Sequence, residues 1–344
     1  MTSSPTGSPT SAKTHSRESK PKTSAGKREI LLVPHTGRSA NLEMAAEAAE
    51  LLEAAGIDIR VLAGKNPEVL AAHPTLGKYP RYWHSPQAAS GCELVLVLGG
   101  DGTFLRAADI AHSADLPVLG INMGHVGFLA EWEQESMTEA INRVIKRSWR
   151  IEDRMTIRAT VRDTTGRVIG SGWALNEVSI ENVNRRGVLD VILEVDRRPV
   201  SSYGCDGVLI STPTGSTAYA FSAGGPVLWP ELDAMLVVPN NAHALFSRPL
   251  VISPHSTIAI ETNHDTAEAV AVLDGFRNIT MPPGSRIEIE RGAQPVRWVR
   301  LDDQPFADRL VHKFRLPTSG WRGPAEAQEP FTHGRQDPTF QGKD

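Results

Sequence analysis

The feature that most constrains the fold is a run of five apolar residues, Leu94–Leu98, followed at once by the segment GGDGT at 99–103. A continuous apolar run of strand length bounded by glycines is typical of a strand buried on both faces of a parallel sheet. Parallel strands need helical crossovers, so a doubly wound α/β domain is expected around this run. Ligands of such sheets bind at the carboxyl ends of the strands, which is where GGDGT lies.

Predicted strands and helices alternate on both sides of this run. Strands are predicted at 30–33, 57–62, 94–98 and 118–121, and helices at 41–55, 104–112 and 136–147. The last helix would begin with a capping box formed by Ser136 and Glu139. Residues 29–150 are therefore predicted to form an N-terminal, Rossmann-like, doubly wound α/β domain.

The pattern changes after residue 150. Apolar and polar residues alternate over 155–161, as in a half-buried antiparallel strand, and further strands are predicted at 188–195, 208–211, 257–261 and 286–290. Residues 151–300 are therefore predicted to form a mainly-β C-terminal domain that binds a dinucleotide. A helix is predicted at 306–314, in a segment (301–322) expected to return to the first domain.

The two ends of the chain are predicted to be disordered tails, residues 1–28 and 323–344, because they are polar and broken by Pro and Gly. The first tail has no apolar region for a secretory signal. Its basic, Ser-rich composition leaves a transit peptide open, although the residues that would make an amphipathic helix are missing. A net charge of −4 gives no basic footprint for nucleic-acid binding, and no run of about 20 apolar residues could span a membrane. With two cysteines, a reducing, cytoplasmic location is expected.

The glycines of GGDGT predict a phosphate contact. They let backbone N–H groups approach a phosphate at the start of a helix, whose positive dipole end favours the anion. Asp101 is unfavourable beside phosphate unless it contacts a metal or takes a proton from a reacting hydroxyl. The alternative is a plain glycine-rich turn with an Asp that caps a helix.

A second polar segment, 206–222, runs from a strand into the turn TPTGST at 212–217 and then to Tyr219. Its hydroxyls and backbone donors suit a nucleotide, whereas the alternative is an ordinary turn before a helix with Tyr219 in a core. Asn176 and Glu177 end another apolar stretch and are weak evidence alone, since a solvated strand end is the default interpretation. His125, in a turn after a strand, could equally contact a ligand or serve as a capping residue.

Several other chemistries lack their motifs. The sequence has no Walker-type phosphate loop, no G-x-G-x-x-G after a strand, no G-x-S-x-G elbow and no H-E-x-x-H. A zinc site is therefore not expected among the scattered histidines.

Taken together, GGDGT (99–103), ALNE (174–177) and DGVLISTPTGSTAYAFSAGGP (206–226) resemble the NAD kinase family, in the form found in actinobacteria. The resemblance covers about residues 29–322 and includes GHVGFLAE at 124–131. GGDGT alone is shared with phosphofructokinases and diacylglycerol-type lipid kinases, whereas the segment around Tyr219 makes the match specific.

The resemblance implies phosphorylation of the 2′-hydroxyl of the adenosine ribose of NAD, giving NADP, with ATP or polyphosphate as donor. It also implies a divalent metal, Mg²⁺, whose ligands the sequence does not identify. Asp101 would be the proton acceptor, with Gly102 beside the ribose and Arg106 at a phosphate. The remaining substrate-binding residues carried over are Phe128, Asn176, Glu177, Asp206, Thr214, Thr217, Ala218, Tyr219, Ala220, Phe221 and Ser222.

The same resemblance implies a homodimer or homotetramer. Gly204 stands where some members carry a basic residue, which leaves the choice between NAD and NADH open. Two rival functions remain: another kinase with GGDGT that acts on a sugar or lipid, and a catalytically silent dinucleotide-binding regulator. The presence of Asp101, Asn176 and Glu177 argues against the silent regulator, because a protein that only binds needs no base at the ribose.

Overall fold

A computed structural model describes residues 27–64, 66–122, 127–129, 137–183, 188–265, 268–301 and 305–318 of the chain. The helices are α1 (Ser39–Ala54), α2 (Pro67–Ala72), α3 (Asp101–Ser113), α4 (Met137–Ile145), α5 (Tyr219–Ser222) and α6 (Phe306–Phe314). The strands of the first half are β1 (Glu29–Pro34), β2 (Asp58–Leu62), β3 (Arg81–Tyr82), β4 (Leu94–Leu98), β5 (Val118–Ile121), β6 (Arg150–Arg154), β7 (Ile157–Arg162), β8 (Val168–Ala174) and β9 (Glu177–Asn182). Those of the second half are β10 (Leu189–Val195), β11 (Arg198–Cys205), β12 (Gly207–Ser211), β13 (Met235–Asn240), β14 (Leu250–Ile252), β15 (Ile258–Thr262), β16 (Ala269–Leu273), β17 (Arg277–Met281), β18 (Arg286–Arg291) and β19 (Val296–Arg300).

The first sheet has seven strands in the order β3-β2-β1-β4-β5-β19-β6. All neighbours are parallel except β19 and β6, and all five residues of β4 are buried, as its apolar run predicts. Residues of α1 and α4 pack on one face of the sheet and residues of α3 on the other. The predicted doubly wound α/β architecture is therefore confirmed, with one antiparallel edge strand.

The strands outside the first sheet form two six-stranded antiparallel sheets, ordered β11-β10-β15-β18-β7-β8 and β14-β13-β12-β9-β16-β17. Their inner faces share one core, in which Ile157, Leu193 and Ile260 of the first sheet of this pair meet Ile180 and Val237 of the second. Alternation of buried and exposed residues, clearest in β7, places one face of each sheet in this core. The mainly-β C-terminal domain is therefore confirmed.

The first sheet takes strands from both sides of this β-rich region. β6 and β19 pair with each other antiparallel, and Trp298 of β19 pairs with Val118 of β5. The expected boundary between residues 150 and 151 thus falls inside β6. The chain is back in the first sheet by Val296, before the boundary that was expected at 300.

One part of the predicted N-terminal tail is ordered. The Arg28 guanidinium donates to a carboxylate oxygen of Glu93 and to the carbonyls of Val144 and Ile145, so the disorder predicted through residue 28 is wrong at its end. Lys27 pairs with Asp58 at 2.6 Å. The remaining tail residues 1–26 and the segment 323–344 lie outside the described residues.

Residues up to Leu301 belong to one compact unit, and α6 belongs to a second unit that begins at Gln304. This helix spans 306–314, as predicted, begins after Pro305, and ends at Arg315 in the left-handed conformation. The expected return of 301–322 to the first domain stays a prediction.

Candidate active site

The carboxyl ends of the parallel strands open into a cleft of about 890 Å³. Its walls are the segments that follow β1, β2, β3, β4 and β5, together with one residue of the β-rich region, Phe276. This is the position at which open α/β sheets bind ligands. The polar, charged and aromatic residues of its lining include His35, Thr36, Arg38, Asn41, Asn66, Trp83, His84, Thr103, Arg106, Asn122 and Phe276.

Asp101 is the first residue of α3, directly after the two glycines that end β4. The helix therefore begins three residues before the predicted Phe104. The N-cap of α3 is Gly100, which has no side chain, so no N-cap side chain accepts from the first N–H groups of the helix. Gly100, Gly102 and Arg106 all line the cleft, as the sequence predicts for residues around GGDGT.

The Asp101 carboxylate is held by the backbone of a distant turn. The N–H of Phe128 donates to Oδ2 at 3.2 Å, and the N–H of Leu129 donates to Oδ1 at 3.1 Å. Gly127 permits this approach, because a Cβ at that position would lie 2.2 Å from Asp101 Oδ1. Phe128 is thus close to Asp101 through its backbone. His125 and the residues 130–131 of the GHVGFLAE segment lie outside the described residues, as does Ser136 of the predicted capping box.

The backbone before Asn176 is held by a second carboxylate, that of Asp274. Its two oxygens accept from the N–H of Leu175 at 3.0 Å and of Asn176 at 2.7 Å. From the other side, the Thr212 hydroxyl donates to the Leu175 carbonyl at 2.5 Å. Gly215 packs so closely that its Cβ would lie 2.1 Å from the Asn176 carbonyl oxygen. The ALNE and TPTGST segments are therefore one packed unit.

The side chains of Asn176 and Glu177 are buried, and two of their oxygens lack a partner. Asn176 Oδ1 and Glu177 Oε2 are both inaccessible and make no hydrogen bond. Burial, with a further contribution from the Asp274 charge, raises the pKa of Glu177 to about 8, although the Tyr219 N–H acts in the opposite direction. Unpaired buried oxygens are unusual in folded proteins and often mark a functional site.

The 206–222 segment divides into structural and accessible parts. The hydroxyls of Ser211, Thr212 and Ser216 donate to backbone carbonyls, so they hold the turn instead of being free for a ligand, contrary to the general expectation from composition. Ala220 is fully buried in a small apolar cluster with Leu209 and Leu236.

The other predicted residues of this segment remain more open. Tyr219 and Phe221 are 39% and 40% exposed, and the Tyr219 hydroxyl accepts from Asn240 Nδ2 at 3.5 Å. Thr214 is buried, Thr217 and Ala218 are half-buried, and Ser222 is exposed. Asp206 is exposed between β11 and β12, where its carboxylate accepts from Asn241 Nδ2 at 2.8 Å.

Several cleft and supporting residues were not predicted from the sequence. His35 and Arg38 follow β1, Trp83 follows β3, and Asp274 and Phe276 lie in the β16–β17 hairpin. A signal existed for the first three, because residues after parallel strands share one edge of the sheet. For Asp274 the available signal was a hairpin turn, Asp-Gly after an apolar run, which indicates local structure only.

Among the residues that the structure describes, no group of three or more His, Cys, Asp or Glu side chains is arranged to hold a metal ion. None of the helices in this part of the chain combines the length and apolarity that crossing a membrane requires. The expected cytoplasmic location stays a prediction.

The fold and site define a class of nucleotide-binding protein: an α/β domain with a glycine-rich strand end, joined to a β-rich domain that contributes to the same cleft. Residues 30–149 match the family model described as the ATP-NAD kinase N-terminal domain, and residues 175–301 match the ATP-NAD kinase C-terminal domain. The chain belongs to the NAD kinase family.

Individual relatives agree with this assignment. The chain is 70% identical over 297 residues to a protein named NAD kinase from Corynebacterium jeikeium, covering 86% of this chain and 90% of the relative. It is 69% identical to the NAD kinase from Corynebacterium glutamicum, covering 83% and 100%. Among solved structures, an NAD kinase from Archaeoglobus fulgidus in complex with ATP matches with a TM-score of 0.61 and 25% identity, covering 84% and 98%. Yeast NADH kinase complexed with NADH shares the fold, with a TM-score of 0.77 at 19% identity, covering 87% and 91%.

Proposed function

We propose that this protein phosphorylates the 2′-hydroxyl of the adenosine ribose of NAD to make NADP. The observation that carries the proposal is the pair of buried oxygens without partners, Asn176 Oδ1 and Glu177 Oε2. A ribose hydroxyl can donate to Asn176 Oδ1 and can accept from a protonated Glu177 carboxyl, and an unsatisfied buried polar group costs about 1–3 kcal/mol. Family membership and the names of the relatives support NAD as the acceptor.

Asp101 is proposed as the general base. Its carboxylate is fixed by two N–H donors, and its neighbours Gly100 and Gly102 line the cleft, so it needs little reorganisation to meet a hydroxyl. In the proposed step the 2′-oxygen attacks the terminal phosphorus of the donor, the bond from that phosphorus to the leaving oxygen breaks, and the 2′-proton passes to Asp101. Phosphoryl transfer has a loose transition state, so positioning and charge neutralisation supply most of the catalysis.

The donor is proposed to be ATP or polyphosphate, bound in the cleft with its phosphates at the start of α3. Arg38 and Arg106 line the cleft and supply positive charge, and the first turn of α3 supplies N–H donors. A divalent metal would be held mainly by the donor phosphates and water, as Mg²⁺ usually is in phosphoryl transfer. Such a metal neutralises phosphate charge, and no protein step depends on it here.

Asp101→Asn tests the base. We expect the rate of NADP formation to fall by about 10²–10⁴-fold, while the Kd for NAD stays within about threefold, because the lost group acts on the proton. NADP formed from NAD, Mg²⁺ and either donor is measured by chromatography. Asp233→Asn, which removes an exposed carboxylate paired with Arg291, is the matched control and should retain the wild-type rate. A variant at position 101 that keeps more than about a tenth of the rate would exclude the base role.

Trp83 offers a way to distinguish the two donors. Its ring is 68% exposed at the wall of the cleft, where the purine of ATP could stack on it. Polyphosphate has no ring that could stack on Trp83. Stacking of a base on an aromatic ring contributes about 1–3 kcal/mol, so Trp83→Ala should raise the KM for ATP about 5- to 160-fold and leave that for polyphosphate unchanged. Trp229→Ala, at an exposed tryptophan outside the cleft, is the control. Equal effects on both donors would exclude purine stacking at Trp83.

The proposal includes a homo-oligomer assembled with a second copy of the chain. Val188, Ile192 and Val200 are 44–49% exposed at the β10–β11 edge of the β-rich region, which suits an apolar contact. Light scattering after size exclusion should give a dimer or tetramer mass, and Ile192→Lys should lower it. A wild-type monomer at micromolar concentration would contradict this part.

A further inference from the structure

A single guanidinium, that of Arg277, joins the helix that begins at Asp101 to the turn that holds Asn176. Arg277 lies at the start of β17, where Nη1 is 2.8 Å from Asp109 Oδ1 and Nη2 is 2.7 Å from Asp274 Oδ2. Asp109 is in the third turn of α3, about 12 Å along the helix axis from Asp101. The bond to Asp109 crosses from the β-rich domain to the α/β domain, whereas the bond to Asp274 lies within the β16–β17 hairpin.

The Asp274 end of this connection controls the backbone of the ALNE segment. Both Asp274 oxygens accept from backbone N–H groups, those of Leu175 and Asn176, and the side chain is 1% exposed. The position of the Asp274 carboxylate therefore fixes the backbone from which the Asn176 and Glu177 side chains extend. Because Oδ2 is shared between the Leu175 N–H and the guanidinium, any shift of Arg277 is transmitted directly to this turn.

The other partner of Arg277, Asp109, lies in α3, the helix at whose start the donor phosphates are proposed to bind. α3 is a helix of 13 residues that carries Asp101, Gly102 and Arg106, and a helix moves as a rigid element. The other Asp109 oxygen lies 3.7 Å from Nε2 of His84, which itself bonds the Arg106 carbonyl at 3.2 Å and lines the cleft. Asp109 is therefore close to one residue of the cleft wall, His84, which in turn contacts the backbone of Arg106.

Packing restricts the guanidinium to this one geometry. Its central carbon lies 4.6 Å from the ring centre of Trp173 and 4.7 Å from that of Phe276, and His112 stacks on Trp173 at 3.9 Å. Phe276 in turn lines the cleft. A planar guanidinium held against two rings keeps its donor fork aimed at both carboxylates, which an ammonium group cannot do.

We propose that Arg277, with Asp109, is a positioning residue that keeps the donor phosphate site on α3 in register with the acceptor ribose site at Asn176. This inference rests on the proposed function. In-line transfer needs both substrates aligned to within about an ångström, and a misplacement of that size can cost about 10²-fold in rate. The two substrates are held by different domains, so their alignment depends on the connection between those domains. Binding of NAD alone does not depend on the connection between the domains.

The decisive variants are Asp109→Asn and Arg277→Lys in the full chain. Asp109→Asn removes the charge on α3 with little change of shape and leaves the pair of Arg277 with Asp274. Arg277→Lys keeps a cation beside Asp274 but lacks the fork that reaches Asp109 as well. Neither residue is proposed to touch a substrate.

A matched control exists on the outer face of the β-rich region. Arg286 pairs with Glu194 at 2.7 Å, and these side chains are 24% and 18% exposed, close to the 24% and 21% of Arg277 and Asp109. Glu194→Gln removes an ion pair of similar burial that does not connect the two domains. It therefore measures what the loss of such a pair does to stability alone.

The measurements are kcat with both substrates saturating, the Kd for NAD without donor, and the thermal midpoint. We expect Asp109→Asn and Arg277→Lys each to lower kcat about tenfold or more, with the Kd for NAD within about twofold of wild type. Glu194→Gln should lower the thermal midpoint comparably and leave kcat within about twofold.

Three results would overturn the assignment. These are an unchanged kcat in both variants, a kcat loss matched by Glu194→Gln, and a loss expressed only as weaker NAD binding. A wild-type chain that makes no NADP would instead refute the proposed function, so the two failures are distinguishable. If Asp109→Asn does not fold, Arg277→Lys, which retains the charge beside Asp274, decides the question by the same measurements.

Discussion

Glu177→Gln should make the protein more stable at alkaline pH, and the structure gives the size of the effect. Burial and the nearby Asp274 charge raise the pKa of Glu177 from 4.5 to about 8 in the folded protein. In the unfolded chain this carboxyl ionises near its ordinary value. The folded state therefore holds a proton between these two pH values that the unfolded state has released.

The sign and the magnitude follow from this difference. The stability associated with protonated Glu177 is complete below about pH 4.5, declines as pH rises, and is lost above about pH 8. At 1.36 kcal/mol per pKa unit, the whole interval corresponds to at most about 5 kcal/mol. Relaxation and water penetration reduce such penalties in real proteins, so we expect a gain of about 2–5 kcal/mol for the glutamine variant above pH 8.

Thermal denaturation at a series of pH values from 5 to 9 is the assay. With about 2 °C per kcal/mol for a chain of this size, the midpoint of Glu177→Gln should exceed that of wild type by about 4–10 °C at pH 9 and by little at pH 5. Glu181→Gln is the control on the same strand, because Glu181 is only half-buried and accepts from the Ser179 hydroxyl at 2.7 Å. A difference between variant and wild type that does not grow with pH would refute the reasoning.

Three other predictions follow from single contacts. Gly127→Ala should lower kcat by about 10²-fold, because its Cβ would lie 2.2 Å from Asp101 Oδ1 and must displace the proposed base; an unchanged kcat would show that the base tolerates movement. Arg28→Ala should lower the free energy of unfolding by about 1–3 kcal/mol in chemical denaturation, whereas Lys27→Ala, at a 72% exposed side chain, should change it by less than about 1. NADH should be phosphorylated with a kcat/KM within about tenfold of that for NAD, because exposed Asp206 can favour the charged nicotinamide by only about 0.2–1 kcal/mol; a much larger preference would point to another determinant.

The sequence predicts best the elements whose evidence is local. The bounds of β4, β5 and α6 agree with prediction, since apolar runs and helical periodicity are properties of neighbouring residues. β19 was not predicted, because its partners β5 and β6 lie far earlier in the chain. β16 and β17 were not predicted either, although they form a local hairpin with an apolar run before an Asp-Gly turn. The predicted start of α3 at Phe104 is three residues late, because the folded helix includes Gly102 although glycine has low helix propensity.

The candidate active site is also predicted only in part, because its contacts join residues that are far apart in the sequence. GGDGT identifies Asp101 as special, but only the fold reveals that the N–H groups of Phe128 and Leu129 hold its carboxylate. The hydroxyls of the 212–217 turn suggest a polar ligand, yet Ser216 accepts from the N–H of Leu228, twelve residues on, and serves the turn itself. Asp274 and Arg277 carry no motif at all, because their importance lies in contacts with residues about 100 and 170 positions away.

The pairing of β6 with β19 has a consequence for how the molecule could be taken apart. Val296 and Arg154 are direct partners across an antiparallel pair, so the chain leaves the first sheet and re-enters it at points about 5 Å apart. Residues 155–295 are thus an insertion whose two ends leave and re-enter the first sheet side by side, and which also packs on α3 through Trp173 and Leu175. Deleting residues 155–295 and joining Arg154 to Val296 by a short turn would leave the strand order of the first sheet unchanged.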